Sequence, residues 1–403
     1  MTGNFRLAVV STHPIQYHAP WFRGLARHPD LDVHVYFCHK ATAKDQARAG
    51  FGVEFDWDVD LLVGYPHSFL KNIAKPAGHG RFGGFDTPEI GKIIRGQRYD
   101  AVLVNGWNYK SAWQAIWAAW RCGVKVMVRG DSHLHFDRSR SVMLTKRFTY
   151  RHFVPRFDAC LAPGLWSREY FEHYGAQPDR IFFVPHVIDV DFMQSESLRF
   201  SAERSELRQQ WKLREDSFVF LFVGKFTETK RPLDFVMALS RAAEQGKQIQ
   251  GLMVGDGPLR PACEEFVTSH DAPVTFAGFV NQSQIVRAYV CGDVLVLPSI
   301  GETWGMVVNE AMACSRPALV SDRVGCGPDL VTEHDTGVIF PHCDVAALAS
   351  AMVSMAAHAA QSAEMGRKAQ SQLLKNYSVQ GAVEGVLHAL RATVGARETV
   401  CMQ

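Results

Sequence analysis

Twelve short runs rich in β-branched and aromatic residues recur along the chain, and stretches of helical spacing separate them; this alternation constrains the fold more than any other feature. The first series covers 5–10, 32–38, 101–104, 124–128, 158–162 and 181–184. The second covers 217–223, 250–254, 274–276, 293–297, 317–320 and 337–340. Amphipathic stretches such as 232–245, 283–291 and 305–314 lie between them. Strands that alternate with helices pair in parallel through right-handed crossovers, which places helices on the faces of the sheet. The class is therefore α/β. A chain of 403 residues is too long for one core and suits two. The polar stretch 191–216, with Gln194-Ser195-Glu196-Ser197, reads as the linker between the two series. The expected layout is a first domain over 1–190, the linker, a second domain over 217–380, and a helix and tail over 381–403. Two doubly wound halves would hold a ligand in the cleft between them.

Composition narrows the class of partner. The formal net charge is only +2, so a nucleic-acid footprint would have to be local, and none is expected. Nine cysteines are scattered singly, with no Cys-x-x-Cys pair, which suits free thiols in a reducing compartment. The chain opens directly on the strand pattern Phe5-Arg6-Leu7-Ala8-Val9-Val10, unlike a signal peptide. No run approaches the roughly 18 apolar residues that span a bilayer. The expected location is the cytoplasm, with membrane contact limited to a surface.

The strongest motif runs from Leu297-Pro298-Ser299-Ile300-Gly301-Glu302 through Thr303-Trp304-Gly305-Met306-Val307-Val308-Asn309-Glu310. A strand ends at Pro298, a turn carries Glu302, and a helix starts near Gly305. A helix N-terminus offers free N–H groups to a pyrophosphate, and glycine lets the anion come close. Glu302 before the helix can reach a sugar; Glu310 on the helix can accept both ribose hydroxyls. Two solvated glutamates on an ordinary strand-turn-helix are the plain alternative.

The first strand of this half ends in Val223-Gly224-Lys225-Phe226-Thr227-Glu228-Thr229-Lys230. Gly224 allows a sharp turn, and Lys225 and Lys230 then sit on one loop, able to neutralise a diphosphate leaving group. A solvated basic loop is the alternative. Gly255-Asp256-Gly257-Pro258 follows another strand, but Gly-x-Gly without a third glycine is a weak dinucleotide fingerprint. Gly278-Phe279-Val280 is a further strand-end turn whose backbone can bracket a nucleobase; both turns can equally be plain.

In this order the residues resemble glycosyltransferase family 4, the retaining enzymes built from two facing Rossmann-like domains (the GT-B fold). The resemblance covers the second half: Gly224-Lys225 with Lys230, Gly255-Asp256-Gly257-Pro258, Gly278-Phe279, then Glu302 and Glu310 in a Glu-x7-Glu motif. It implies a deep inter-domain cleft, a UDP- or GDP-sugar as substrate, and no metal or other cofactor. By resemblance, Lys225 and Lys230 hold the donor diphosphate, Glu302 contacts sugar hydroxyls and Glu310 the ribose. Gly224, Gly255, Gly278, Phe279, Val280 and the segment Thr303 to Val307 complete the donor side. Lys225 stands where the family more often has arginine, so the charge is kept without the planar fork.

The first half departs from the family. Ser11-Thr12-His13-Pro14-Ile15-Gln16-Tyr17-His18 follows strand one where relatives often have a glycine-rich loop. His13, Gln16 and Tyr17 are therefore candidates for acceptor or sugar contacts. The strand 124–128 leads into Arg129-Gly130-Asp131-Ser132-His133-Leu134-His135, where many relatives carry a sugar-contacting histidine; Asp131 or His133 fills that place here. The alternation of Asp131, His133, His135 and Asp137 also suggests a metal site, a lesser alternative because nothing else supplies a ligand group. Trp113, Trp117 and Trp120 fall at helical spacing and read as a core-facing stripe.

The function expected is transfer of a sugar from a nucleotide diphosphate to a glycan, lipid-linked or small-molecule acceptor, with retention, in polysaccharide or glycoconjugate biosynthesis. The rivals are a sugar-nucleotide epimerase or hydrolase on the same fold, and a non-catalytic sugar-nucleotide-binding subunit. Residues 138–156 carry six basic residues and no acidic one, interleaved with Val142, Met143, Leu144, Phe148, Tyr150 and Phe153. Such a segment either lies on an anionic membrane or forms a solvated basic face over the core.

Overall fold

The computed structural model describes residues 4–136, 139–245, 248–331 and 335–395. All twelve expected strands form, within two residues at each end. The first sheet contains β1 (Phe5–Ser11), β2 (Leu31–Phe37), β3 (His67–Phe69), β4 (Ala101–Asn105), β5 (Lys125–Arg129), β6 (Ala159–Ala162) and β7 (Ile181–Phe183). Its order is β3-β2-β1-β4-β5-β6-β7, and every pairing is parallel. The second contains β8 (Phe218–Val223), β9 (Ile249–Val254), β10 (Val274–Gly278), β11 (Val294–Leu297), β12 (Ala318–Ser321) and β13 (Gly337–Phe340). Its order is β10-β9-β8-β11-β12-β13, again parallel throughout. These are two Rossmann-like α/β domains.

The central strands are near-continuous apolar runs because helices cover both faces of each sheet. Leu7 to Val10 and Val294 to Leu297 are essentially inaccessible. In the first domain one face packs Phe85, Ile116, Phe157 and Phe171; the other packs Trp21, Phe22 and Phe37. β3 was not anticipated: its three residues show no alternation and are held by pairing with Val35–Phe37.

Chain order and spatial order part at one place in each sheet. β1 lies between β2 and β4, and β8 between β9 and β11, so successive crossovers leave toward opposite sides. Loops at the carboxyl ends of such strand pairs splay apart, and ligands bind in the gap. The loops that follow β1, β4, β8 and β11 are therefore the ones to inspect.

The compact units divide differently from the sequence layout. One consists of 1–41, 60–187 and 379–403; the other of 42–59 and 188–378. The stretch 191–216, expected as a linker, is mostly helix, Val190–Ser201 and Arg204–Gln210. Polar composition concealed a buried cation there. Arg208 is 3% exposed and donates to the carbonyls of Cys291 (3.1 Å) and Ser217 (2.9 Å) and to Asp293 (2.8 Å). A guanidinium satisfied on several sides can be buried, and it fixes helix Arg204–Gln210 to the second sheet. The helix Val379–Val394 belongs to the first unit, where Val383, Val386, Leu387 and Leu390 enter the core beside Trp21 and Phe22. Residues 42–59, expected in the first domain, pack on the second through Phe51 and Phe55, which meet Phe279, and through Asp58, which accepts from Ser283.

The tryptophan stripe also needs correction. Helix Lys110–Cys122 turns Ala112, Ala115, Ile116 and Ala119 inward, while Trp117 is 50% exposed and Trp113 and Trp120 are only partly buried. Small residues let the helix lie close on the sheet, which pushes the large indoles to its flanks. Among the described residues no helix is long and apolar enough to cross a membrane, and the eight described cysteines are all free.

Candidate active site

At the carboxyl end of β8 the chain turns through Gly224 into Lys225, and a short helical turn brings Lys230 back beside it. The loop after β11 places Glu302 against Lys230 in an ion pair, with side chains only 13% and 21% exposed, respectively. Ser299, fully buried, donates to Glu302 Oε1 at 2.9 Å and fixes the carboxylate from behind. The backbone of Glu302 is held as well: its N–H donates to Arg323 and its carbonyl accepts from Gly325, both at 3.1 Å. Lys225 feels both partners. Its ammonium is held below the usual lysine range by burial first and by Lys230 next, with Glu302 opposing. Two lysines and one glutamate therefore converge at the switch point of the second sheet.

The glycine loops around them form a single ledge. Gly224 N–H donates to Val254, Phe226 N–H to Asp256, and Gly255 N–H to Gly278, all at 2.8–3.0 Å. Gly255 has φ +130°, and a side chain there would collide with the Gly224 carbonyl. The Gly-x-Gly after β9 thus serves loop-to-loop docking; Asp256 is tied to Arg260 at 2.7 Å. Phe279 and Val280 follow at the end of β10, with Phe279 under the aromatic residues of 42–59. Gly305 takes φ +105° and starts helix Met306–Ala313, so Thr303, Trp304, Met306 and Val307 surround a helix N-terminus. Trp304 is buried, and its indole donates to Asn309 at 2.9 Å.

Glu310 is 2% exposed, far less open than a side chain waiting for a ligand. Tyr289 Oη donates to its Oε2 at 2.6 Å and Gln282 Nε2 to its Oε1 at 3.3 Å.

The first unit builds a second cluster at its own switch point, and most of it escaped the sequence reading. Arg129, the last residue of β5, is 4% exposed and donates to the Pro185 carbonyl at 2.9 Å and to His186 Nδ1 at 3.1 Å. Its guanidinium sits 4.6 Å over the Trp21 ring, and burial lowers its pKa to about 10. His186 faces Asp131 at 3.5 Å. Asn105, ending β4, lies 3.1 Å from the His18 ring, whose pKa is well below 6.5 through burial, then Arg129 and His186. His18, Asn105 and His186 lie far apart in sequence, and no local spacing flags them.

Of the first-half candidates, Asp131 joins this cluster, and His13 acts on His18 electrostatically. The His13 ring meets His79 edge-on at 4.7 Å. Gln16 and Tyr17 lie half-buried on the turn after β1. His133 goes elsewhere: it is 1% exposed, stacks on Phe136 at 4.2 Å and accepts from the His135 N–H at 3.2 Å. Of the two residues considered for the sugar-contacting place, Asp131 is the one that faces His186. His135 stacks on Trp166, and Asp137 lies outside the described residues. Among the described residues no three His, Cys, Asp or Glu side chains are grouped for a metal.

Two Rossmann-like domains in one chain, with cationic loops at a sheet switch point in the second, fit one class, the GT-B fold. The sequence comparisons carry it to the family. A family profile described as "Glycosyl transferases group 1" matches residues 203–372, and one described as "Glycosyl transferase 4-like domain" matches 15–186. The chain belongs to glycosyltransferase family 4. It is 25% identical to the alpha-D-kanosaminyltransferase of Streptomyces kanamyceticus over 54% of this chain and 58% of that one. It is 30% identical to a D-inositol 3-phosphate glycosyltransferase of Mycobacteroides abscessus over 42% of this chain and 37% of that one. The matched region thus spans less than two thirds of these relatives' length. Solved structures match almost end to end. HepE of Anabaena, crystallised with UDP and glucose, superposes with a TM-score of 0.72 at 17% identity, covering 96% of this chain and all of that one. A Rickettsia africae glycosyltransferase gives 0.74 at 15%, over 97% and 99%.

Proposed function

We propose that the protein transfers a sugar from a nucleotide diphosphate donor to a hydroxyl acceptor with retention of configuration and without a metal. The observation that carries this reading is the convergence of Lys225, Lys230 and Glu302 at the β8/β11 switch point. The bond between the anomeric carbon and the β-phosphate oxygen breaks, and its electron pair leaves with the diphosphate. Lys225 and Lys230 counter the charge that grows there, which is where fixed ammonium groups contribute most. The acceptor oxygen forms the new bond on the same face, and its proton passes to the departing phosphate. Glu302 then orients sugar hydroxyls, Glu310 takes the ribose, and the opening turn of helix Met306–Ala313 meets the diphosphate. That HepE was crystallised with UDP, and in another structure with UDP-glucose, supports a nucleotide-sugar donor on this fold.

Titration calorimetry with UDP and with GDP tests the donor site. One of them should bind, and Glu310→Gln should weaken it by about 1.5–3 kcal/mol, the worth of hydrogen bonds to a charged group. Failure of both nucleotides to bind, or equal affinity in the variant, overturns the donor assignment. Product analysis without acceptor separates transfer from epimerisation and hydrolysis, and no turnover with any acceptor leaves only a binding subunit.

We further propose a lipid-linked acceptor met at an anionic membrane. Helix Arg140–Phe153 buries no side chain fully, and Met143, Leu144 and Phe148 are 56%, 55% and 65% exposed beside Arg140, Lys146, Arg147 and Arg151. Its second half is anchored, where Tyr150 and Phe153 pack on the first core and Lys146 donates to Tyr170 at 3.3 Å. Each basic residue near an anionic surface contributes about 1 kcal/mol. The protein should float with anionic but not neutral vesicles at low salt, and Arg147→Glu with Arg151→Glu should abolish this. Absence of flotation returns the acceptor to solution.

A further inference from the structure

Residues 42–59 leave the first domain in sequence yet fold as part of the second unit, directly on the loops that carry the donor-site candidates. The segment is pinned at its far end: Asp58 accepts from the Ser283 N–H at 2.9 Å and from its hydroxyl at 2.5 Å, while the Asp56 carbonyl accepts from Asn281 at 2.8 Å. In between, Phe55 lies on Phe279 with ring centres 4.3 Å apart, and Phe51 meets Phe55 and Phe279 edge-on at 5.0 and 6.0 Å. Gly52 approaches the Gly257 backbone so closely that an added Cβ would stand 3.2 Å from it. The Lys225 ammonium lies 4.3 Å from the centre of the Phe51 ring.

We propose that 42–59 is a working part of the donor site and that Phe51 is a positioning residue for Lys225. The proposal rests on the donor reading given above. An ammonium needs either water or a fixed negative surface, and the face of an aromatic ring supplies the second without competing for a hydrogen bond. Lys225 is a flexible four-carbon stem among a second lysine and a single glutamate. Left to itself it would turn to water and away from Lys230. The Phe51 ring holds it from one side by its face, a contact that does not itself take one of the ammonium's hydrogen bonds. A preset charge needs no reorganisation when the leaving group develops its own, so the effect falls on the chemical step more than on binding.

Phe51→Leu keeps an apolar group of similar size and removes the ring face; Phe51→Tyr restores the face. Reductive methylation with ¹³C-formaldehyde, assigned by Lys225→Arg, reports the geometry without any activity. The Lys225 methyl resonance should be shifted upfield by the ring in the wild type and in Phe51→Tyr, and not in Phe51→Leu. With the accepted nucleotide sugar, Phe51→Leu should lower kcat about tenfold, a loss within the range of one partly desolvated cation–π contact, and nucleotide diphosphate affinity should change less than about threefold. Phe51→Tyr should return kcat to within about twofold. An unshifted wild-type resonance, an unchanged kcat in Phe51→Leu, or a Tyr variant as slow as the Leu variant each overturns the proposal. If the wild type binds neither UDP nor GDP, the donor reading fails, while the methyl resonance still decides whether Phe51 holds Lys225.

Discussion

Both domains gather charge at the place where their sheets change direction, but they assemble it by opposite routes. In the second domain Lys225, Lys230 and Glu302 come from two loops, each within a few residues of a strand end, and the positive charge is met by a carboxylate in contact. In the first, Arg129 and Asp131, His18, Asn105 and His186 come from four stretches, and a buried guanidinium is surrounded by imidazoles that burial holds below the usual histidine range. The second arrangement suits a ligand that brings its own negative charge. The first has a fixed cation and neutral hydrogen-bonding rings, which suits hydroxyl-rich partners. A shared fold thus places two sites at equivalent topological points and leaves their chemistry to the loops.

The largest effect should come from removing the charge in the second domain. Lys225→Ala with Lys230→Ala should lower kcat by about 10²- to 10³-fold, in line with the loss of preorganised donors to a developing anion. Loss confined to KM would make the lysines simple anchors and erase the contrast drawn above. Arg129→Met should lower turnover by about tenfold through misplacement of the partner, yet leave nucleotide diphosphate affinity within about twofold in calorimetry. Equal damage to nucleotide binding would mean that the two clusters do not divide the work.

The histidines make the contrast visible in stability. His18 and His186 are both held below 6.5 in the folded chain, by burial first and then by Arg129. As pH falls below 6.5 the unfolded chain takes up protons that the folded one refuses, so stability declines from there toward the depressed values. His18→Asn should flatten the drop in melting temperature between pH 7.5 and pH 5.5. A wild-type melting temperature independent of pH across that window would remove the buried neutral imidazole. The smallest effect belongs to Phe148, 65% exposed on its helix. Phe148→Ser should change folding stability by less than about 0.5 kcal/mol in urea titration, as for any surface side chain. A loss of several times that would place the helix face in a core.

The sequence alone determined the parallel α/β class, since β-branched runs at helix-length intervals leave few other packings. It also determined the second-domain loops, because Gly224-Lys225, Lys230 and the Glu302/Glu310 pair are read within single strand-turn-helix units. What it missed depends on contacts between distant residues. Nothing near His18 or His186 announces that they meet around Arg129, and the polar composition of 191–216 hides an arginine buried against the Cys291 carbonyl and Asp293, more than 80 residues away. Even the extent of each domain was decided in three dimensions. Residues 42–59 cross to the second unit because Phe51, Phe55 and Asp58 find Phe279 and Ser283 there, and helix Val379–Val394 returns to the first because its apolar face fits beside Trp21 and Phe22. Local pattern fixes an element and the loop that follows it; only burial against a partner distant in sequence decides where a segment belongs and which polar groups it brings together.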